Sequence, residues 1–191
     1  MWLPRRTVHL DRCRAEPLTA PRLTGGQARG RALASVPAAG VRPTSARVRE
    51  ALFSMVGQNL TETRILDAFA GSGLLALEAW SRGADVVAVE QNARAYREVS
   101  ANIRSLGADI PCHRGDVLRV VDRLGTFDGM FLDPPYALDP TPFLEKLGSF
   151  TQDWIVLEST AERTAPEVEG LAIDRRRTYG STSLTIYRRR P

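Results

Sequence analysis

Cysteine, lysine and long apolar runs are all scarce in this chain of 191 residues, and the first and last of these scarcities remove whole classes of protein. The two cysteines, Cys13 and Cys112, lack the paired spacing of a zinc site and the density of a secreted disulfide scaffold. A reducing, cytoplasmic setting fits that usage. Runs such as Val86–Val89 and Trp154–Leu157 fall far short of the roughly 20 apolar residues needed to cross a bilayer. Met1–Leu10 carry Arg5 and Arg6 without an apolar stretch, so they do not read as a secretory signal. No membrane partner is therefore expected. Lys146 is the single lysine among 26 basic residues, a bias of composition to which no function is attached.

What is present is enough chain for one domain with extensions, able to bury a core without disulfides or metals. The net charge of +4 conceals a strong division along the chain. Residues 1–60 hold ten arginines against three acids, residues 61–174 hold nineteen acids against ten bases, and residues 175–191 hold six arginines and no acid. Basic ends around an acidic middle suit a protein that grips a polyanion with its ends, although an arginine-rich solvated surface would look the same.

From Arg64 onward, short apolar runs alternate with stretches of helical period, the pattern of a parallel sheet wrapped by helices. Strands are predicted at Ile65–Phe69, Val86–Glu90, Ile110–His113, Met130–Leu132 and Trp154–Glu158. Helices are predicted at Leu74–Arg82, Ala93–Leu106, Val117–Leu124 and Pro142–Leu147, with Gly83 and Gly107 as terminators. Leu171–Tyr179 and Ser183–Arg188, joined at Gly180, read as a closing hairpin. Residues 1–20 have no periodicity and are expected to form a loose tail. Pro21–Thr44 is Gly- and Arg-rich with too few apolar positions for its own core, so it should lie on the catalytic domain or on the substrate. Thr44 or Ser45 is placed to cap a helix over Ala46–Val56. The expected division is thus a tail (1–20), an N-terminal extension with one helix (21–60) and a catalytic domain (61–191).

Three sites along this pattern carry chemistry. The first is Asp67-Ala68-Phe69-Ala70-Gly71-Ser72-Gly73, where glycines admit a ligand close to the backbone and a helix N-terminus follows. Gly71-Ser72-Gly73-Leu74-Leu75-Ala76 also satisfies a dinucleotide fingerprint, so a nicotinamide enzyme is a rival reading. Asp67 speaks against it, because a carboxylate there repels a pyrophosphate but suits a cofactor with a cationic or amino-bearing end. The second site is Glu90, at a strand end nineteen residues past Gly71, where an acid can accept both hydroxyls of a ribose. Asp116, after the third strand, is placed to accept from an adenine amino group, to cap the next helix, or both.

The third site, Asp133-Pro134-Pro135-Tyr136, follows the fourth strand directly. Two prolines remove two backbone donors and hold the chain extended, leaving a rigid rim of acceptors. An exocyclic base nitrogen is a poor nucleophile because its lone pair is delocalised into the ring. If the Asp133 carboxylate and the Pro134 carbonyl accept its two N–H protons, the lone pair is directed at an electrophile held in line. Tyr136 can stack on the base.

Asp133-Pro134-Pro135-Tyr136 resembles the D/N-P-P-Y/F signature of amino-group methyltransferases, and Asp67–Gly73 resembles their methionine-cofactor loop. Three further stretches, Gly25–Arg31, Arg42–Phe53 and Tyr179–Leu184, narrow the resemblance to the RsmD family, which makes N2-methylguanine in 16S rRNA. The likeness runs from about Pro21 to Arg188, with Leu23-Thr24 standing where the family has two aliphatic residues. It implies a class I, Rossmann-like α/β methyltransferase sandwich with a seven-stranded sheet whose last strand is antiparallel. It also implies S-adenosyl-L-methionine as cofactor, held by Asp67, Ala68, Phe69, Gly71, Gly73, Glu90, Gln91, Asp116 and Val117, and catalysis by Asp133, Pro134, Pro135 and Tyr136. The partner would be 16S rRNA in the small ribosomal subunit or its assembly intermediate, met by a monomer that needs no metal. Arg22, Arg29, Arg31, Arg42, Arg47 and Arg49 are the candidates for phosphate contacts; Arg42 and Arg47 could instead brace the cofactor pocket. A DNA adenine or cytosine amino-methyltransferase and a non-catalytic RNA-binding or ribosome-assembly factor remain alternatives.

Overall fold

The computed structural model describes residues 20–34 and 45–190. Five strands, β1 (Arg64–Asp67), β2 (Asp85–Glu90), β3 (Cys112–Arg114), β4 (Phe127–Leu132) and β5 (Thr151–Thr160), lie parallel. A hairpin of β6 (Leu171–Tyr179) and β7 (Thr182–Arg189) completes a seven-stranded sheet in the order β3-β2-β1-β4-β5-β7-β6. β7 pairs antiparallel with both β5 and β6, so the last strand is the reversed one. Chain order reverses between β1 and β4, which opens a crevice at their carboxyl ends where ligands of such sheets bind.

Five helices, α1 (Ala46–Val56), α2 (Leu74–Ser81), α3 (Ala93–Leu106), α4 (Val117–Val120) and α5 (Thr141–Gly148), cover the sheet. Ser45 caps α1 by accepting from the Val48 N–H at 3.3 Å, and Thr44 lies outside the described residues. Asn92 caps α3, which ends on Gly107 in the left-handed conformation. One buried cluster joins α1, α2, α3 and the extension to a face of the sheet, and a second joins α4 and α5 to the other.

The extension lies on the α/β domain. Leu23, Ala28 and Leu33 are buried in the same cluster as α2, and each leucine so buried contributes roughly 1.5–3 kcal/mol. Its backbone is tied to α2 by Thr24 N–H to Glu78 (2.7 Å), Gln27 N–H to the Ser81 carbonyl (2.6 Å) and Ala28 N–H to the Ser81 hydroxyl (2.8 Å). A single bridge, Arg22 to Ala32, is all the sheet pairing this segment makes among the described residues.

Several element boundaries differ from the sequence expectation, among them β5, which runs Thr151–Thr160 where Trp154–Glu158 was expected. β4 begins at Phe127 instead of Met130, because Gly129 is selected by its neighbour: a Cβ there would lie 2.1 Å from the Trp154 ring. Asp128 in the same stretch accepts from the Arg64 N–H at 2.7 Å, so both strand-poor residues have tertiary reasons to be there. β3 is short and begins at Cys112, and the helix expected over Val117–Leu124 is one turn of α-helix followed by a 3-10 turn over Val121–Arg123.

Candidate functional site

The loop from Asp67 to Gly73 forms the floor of the crevice, and hydrogen bonds from three sides shape it. Ala68 N–H donates to the Phe131 carbonyl, Ala70 N–H to the Val89 carbonyl, and the Asn102 side-chain amide to the Ser72 carbonyl. Gly73 caps α2 with φ +81°, and a Cβ there would strike Val99 of α3 at 2.5 Å, so no other residue fits this corner.

Asp67 ends β1 beneath this loop and is 1% exposed. Its Oδ2 accepts from the Ala76 N–H at 3.0 Å, whereas Oδ1 is buried without a hydrogen bond. Burial pushes its carboxyl up to about 7, against the pull of the Ala76 amide and of the nearby Phe69 amide. An orphaned, buried acceptor at this point fits a cofactor that brings a cation or an ammonium to the loop.

Glu90, at the end of β2, accepts from the Gly71 N–H through Oε2 at 2.8 Å and from the Asn92 N–H through Oε1 at 2.6 Å. It thus links the glycine loop to the start of α3. Asp116 caps α4 by accepting from the Leu118 N–H at 3.0 Å, while its residue also lines the crevice. The capping role is therefore realised and leaves the pocket role open.

Opposite the loop stands the rim that follows β4. Pro134 is buried, and Tyr136 is 48% exposed at the mouth. Burial first, then the charges of Glu158 and Asp67, holds the Asp133 carboxyl well above the usual carboxylate range. Arg163, in the connection after β5, donates to the carbonyls of Tyr136 and Leu138 (2.8 Å to the latter) and fastens the rim. Arg176 of β6 in turn donates to the carbonyls of Ala161 and Arg163.

A cavity of about 640 Å³ lies between floor and rim. It brings together Ala68, Phe69 and Gly71 from the loop, Glu90 and Gln91 from the end of β2, and Asp116 and Val117 from the start of α4. Asp133, Pro134, Pro135 and Tyr136 line it from the other side. Asp67 and Gly73 are not on its lining; they support the loop from below. Sequence reasoning assigned no role to Glu158, Arg163 or Phe143. Glu158 was visible as the acid ending the fifth apolar run, in the place Glu90 takes in the second. Phe143 of α5 meets Phe69 edge-on at 5.0 Å, and its position within α5 gave no signal of a pocket.

The arginines divide. Arg22, Arg29 and Arg31 are exposed on the extension and Arg47 on α1. Arg31 also donates to the Leu106 and Ser105 carbonyls at the end of α3. Arg49 is a correction: it is 2% exposed, pairs with the fully buried Glu78 at 3.3 Å, and donates to the Arg22 carbonyl at 2.8 Å. Glu78 also holds Arg82 at 3.1 Å, whose guanidinium lies 4.3 Å over the Phe53 ring. Arg49 is thus a strut between the extension and α2 and faces no phosphate. Arg42 lies outside the described residues. Of the three arginines in β6, Arg175 and Arg177 are exposed, whereas Arg176 is turned inward to its carbonyl partners.

A parallel sheet with its last strand reversed, a glycine loop after the first strand and an acceptor rim across the switch point is the architecture of the class I methyltransferases. A family model described as conserved hypothetical protein 95 matches residues 21–188. The chain belongs to that family, the RsmD family. YlbH of Bacillus subtilis is 35% identical over 187 residues, covering 88% of this chain and 99% of that one. The Ribosomal RNA small subunit methyltransferase D of Escherichia coli K12 is 32% identical over 177 residues, covering 88% of this chain and 89% of that one. Among solved structures, a hypothetical protein of Thermus thermophilus is 32% identical with a TM-score of 0.75, covering 87% of this chain and 98% of that one.

Proposed function

We propose that this chain methylates N2 of a guanine in 16S rRNA, within the small ribosomal subunit or its assembly intermediate, using S-adenosyl-L-methionine. The observation that carries the reading is the acceptor rim of Asp133 and Pro134, facing a loop with an orphaned buried carboxylate across one cavity. The names of the Escherichia coli relative and its like support RNA over DNA as substrate. No described helix is long and apolar enough to cross a membrane; we take the enzyme to act in the cytoplasm as a monomer, without a metal.

When bound, S-adenosyl-L-methionine supplies an electrophilic methyl group on a cationic sulfur. Asp67 and the loop through Gly73, with Ala68, Phe69 and Gly71, would hold its methionine end. Glu90 and Gln91 would hold the ribose, since each Glu90 oxygen keeps a lone pair beyond the amide it already accepts. Asp116 and Val117 would hold the adenine. A guanine turned out of its stack would sit against Tyr136, with its amino protons on Asp133 and the Pro134 carbonyl. That geometry aims the nitrogen lone pair at the methyl group. Transfer would form the N–C bond as the methyl–sulfur bond breaks and a neutral thioether leaves, and the ionised form of Asp133, made a stronger base than an ordinary aspartate by its surroundings, would be placed to take the proton that the amine gives up.

Arg22, Arg29, Arg31 and Arg47, with Arg42, would contact phosphate, so RNA affinity should fall steeply with salt. The test of the whole reading is transfer of label from radiolabelled S-adenosyl-L-methionine to small subunits from cells lacking the enzyme, followed by nucleoside analysis. Label in N2-methylguanosine supports it; label in another nucleoside, or in DNA only, overturns it.

A further inference from the structure

Glu158 lines the cavity but has no part in the roles above. Leu132 of β4 and Leu157 of β5 are register partners, so Asp133, just past the end of β4, and Glu158, within β5, lie at the same level of neighbouring parallel strands, and both line the cavity. Glu158 is 6% exposed, and it stands on the same wall as Asp133, Pro134 and Tyr136.

The geometry points to Glu158 as the residue that selects guanine, accepting its N1–H while Asp133 and Pro134 hold the adjoining amino group. This rests on the guanine reading given above and supplies its physical basis. Adenine and cytosine carry an amino group next to a ring nitrogen whose lone pair would face the Glu158 carboxylate and be repelled. Guanine alone among the standard bases presents a ring N–H beside an exocyclic amine. A wall with two adjacent acidic acceptors therefore matches guanine and disfavours the other two amino-bearing bases, without any donor being needed to reject them.

The test replaces the target guanosine, once mapped, by 2-aminopurine, which keeps the 2-amino group but exchanges N1–H for a lone pair. Single-turnover methyl transfer is then measured for the wild type and for Glu158→Gln, with the melting temperature and cofactor binding of each recorded. The wild type should prefer guanine by on the order of 10²-fold or more, since the 2-aminopurine N1 lone pair would be set against the buried Glu158 carboxylate. Glu158→Gln, whose amide can donate to the 2-aminopurine N1, should bring that preference below tenfold or reverse it. A wild type that methylates 2-aminopurine as fast as guanine overturns the assignment without reference to any variant. A Glu158→Gln enzyme that slows equally on both bases also overturns it and makes Glu158 a structural residue. Absence of transfer to guanine by the wild type would instead overturn the proposed function, so the two failures are distinct.

Discussion

Exchange of Asp67 for Asn removes a buried charge while keeping the size of the side chain and an oxygen for the Ala76 N–H. In the folded chain burial pushes this carboxyl from an ordinary 3.8 up to about 7. A raised folded value means that the folded chain holds the proton more tightly than the unfolded chain does. The contribution to stability is therefore complete below pH 3.8, is lost progressively as pH rises toward 7, and changes no further above that. The gap corresponds to on the order of 4 kcal/mol, or roughly 10 °C in melting temperature for a domain of this size. Calorimetric melting of wild type and Asp67→Asn from pH 4.5 to 8.5 should show the variant gaining relative stability as pH rises, and becoming the more stable protein at pH 8. The same exchange should weaken S-adenosyl-L-methionine binding, and should abolish the proton release that titration calorimetry detects when the wild type binds it near pH 6.5. A difference in melting temperature that stays constant across this pH range would show that the Asp67 carboxyl is not raised in the folded chain.

Three further perturbations probe other parts of the structure. Arg49→Met leaves Glu78 with Arg82 as its remaining ion-pair partner and strips the Arg22 carbonyl of its donor; a loss of about 3 kcal/mol in urea unfolding is expected, and less than 1 kcal/mol would contradict the strut role. Gly129→Ala drives a methyl group to 2.1 Å from the Trp154 ring, so destabilisation of about 2–3 kcal/mol should appear and be largely relieved by adding Trp154→Leu. Arg163→Ala frees the Tyr136 and Leu138 carbonyls on an exposed loop; the single-turnover rate should fall roughly tenfold with stability changed by less than about 1 kcal/mol, and an unchanged rate would show that the clamp does not position the rim.

The alternation of strands and helices was legible because each element carries its own period, and the cavity rim because Asp133-Pro134-Pro135-Tyr136 is a local pattern. What stayed hidden depends on neighbours far along the chain. Gly129 and Asp128 look like strand breakers until Trp154 and Arg64 are seen against them. Arg49 read as a surface cation because its counter-charge, Glu78, lies a helix and a strand away in sequence; the buried face of α1 also takes in Arg49 and Phe53 beside Val48 and Leu52. Glu158 was legible in position but not in meaning, since the pairing of β4 with β5 is what sets it beside Asp133. The loop from Asp67 to Gly73 was readable as a glycine turn from strand to helix, whereas the orphaned Oδ1 beneath it follows from burial that only the packed fold creates.

Asp133 is proposed to accept from the reacting amine, and a single-turnover comparison of wild type with Asp133→Ala on small subunits isolates that contact. With cofactor binding retained, the rate should fall by about 10²–10³-fold, the loss of roughly 2.7–4 kcal/mol of transition-state stabilisation that removal of one preorganised group entails. A rate within threefold of wild type would contradict the account.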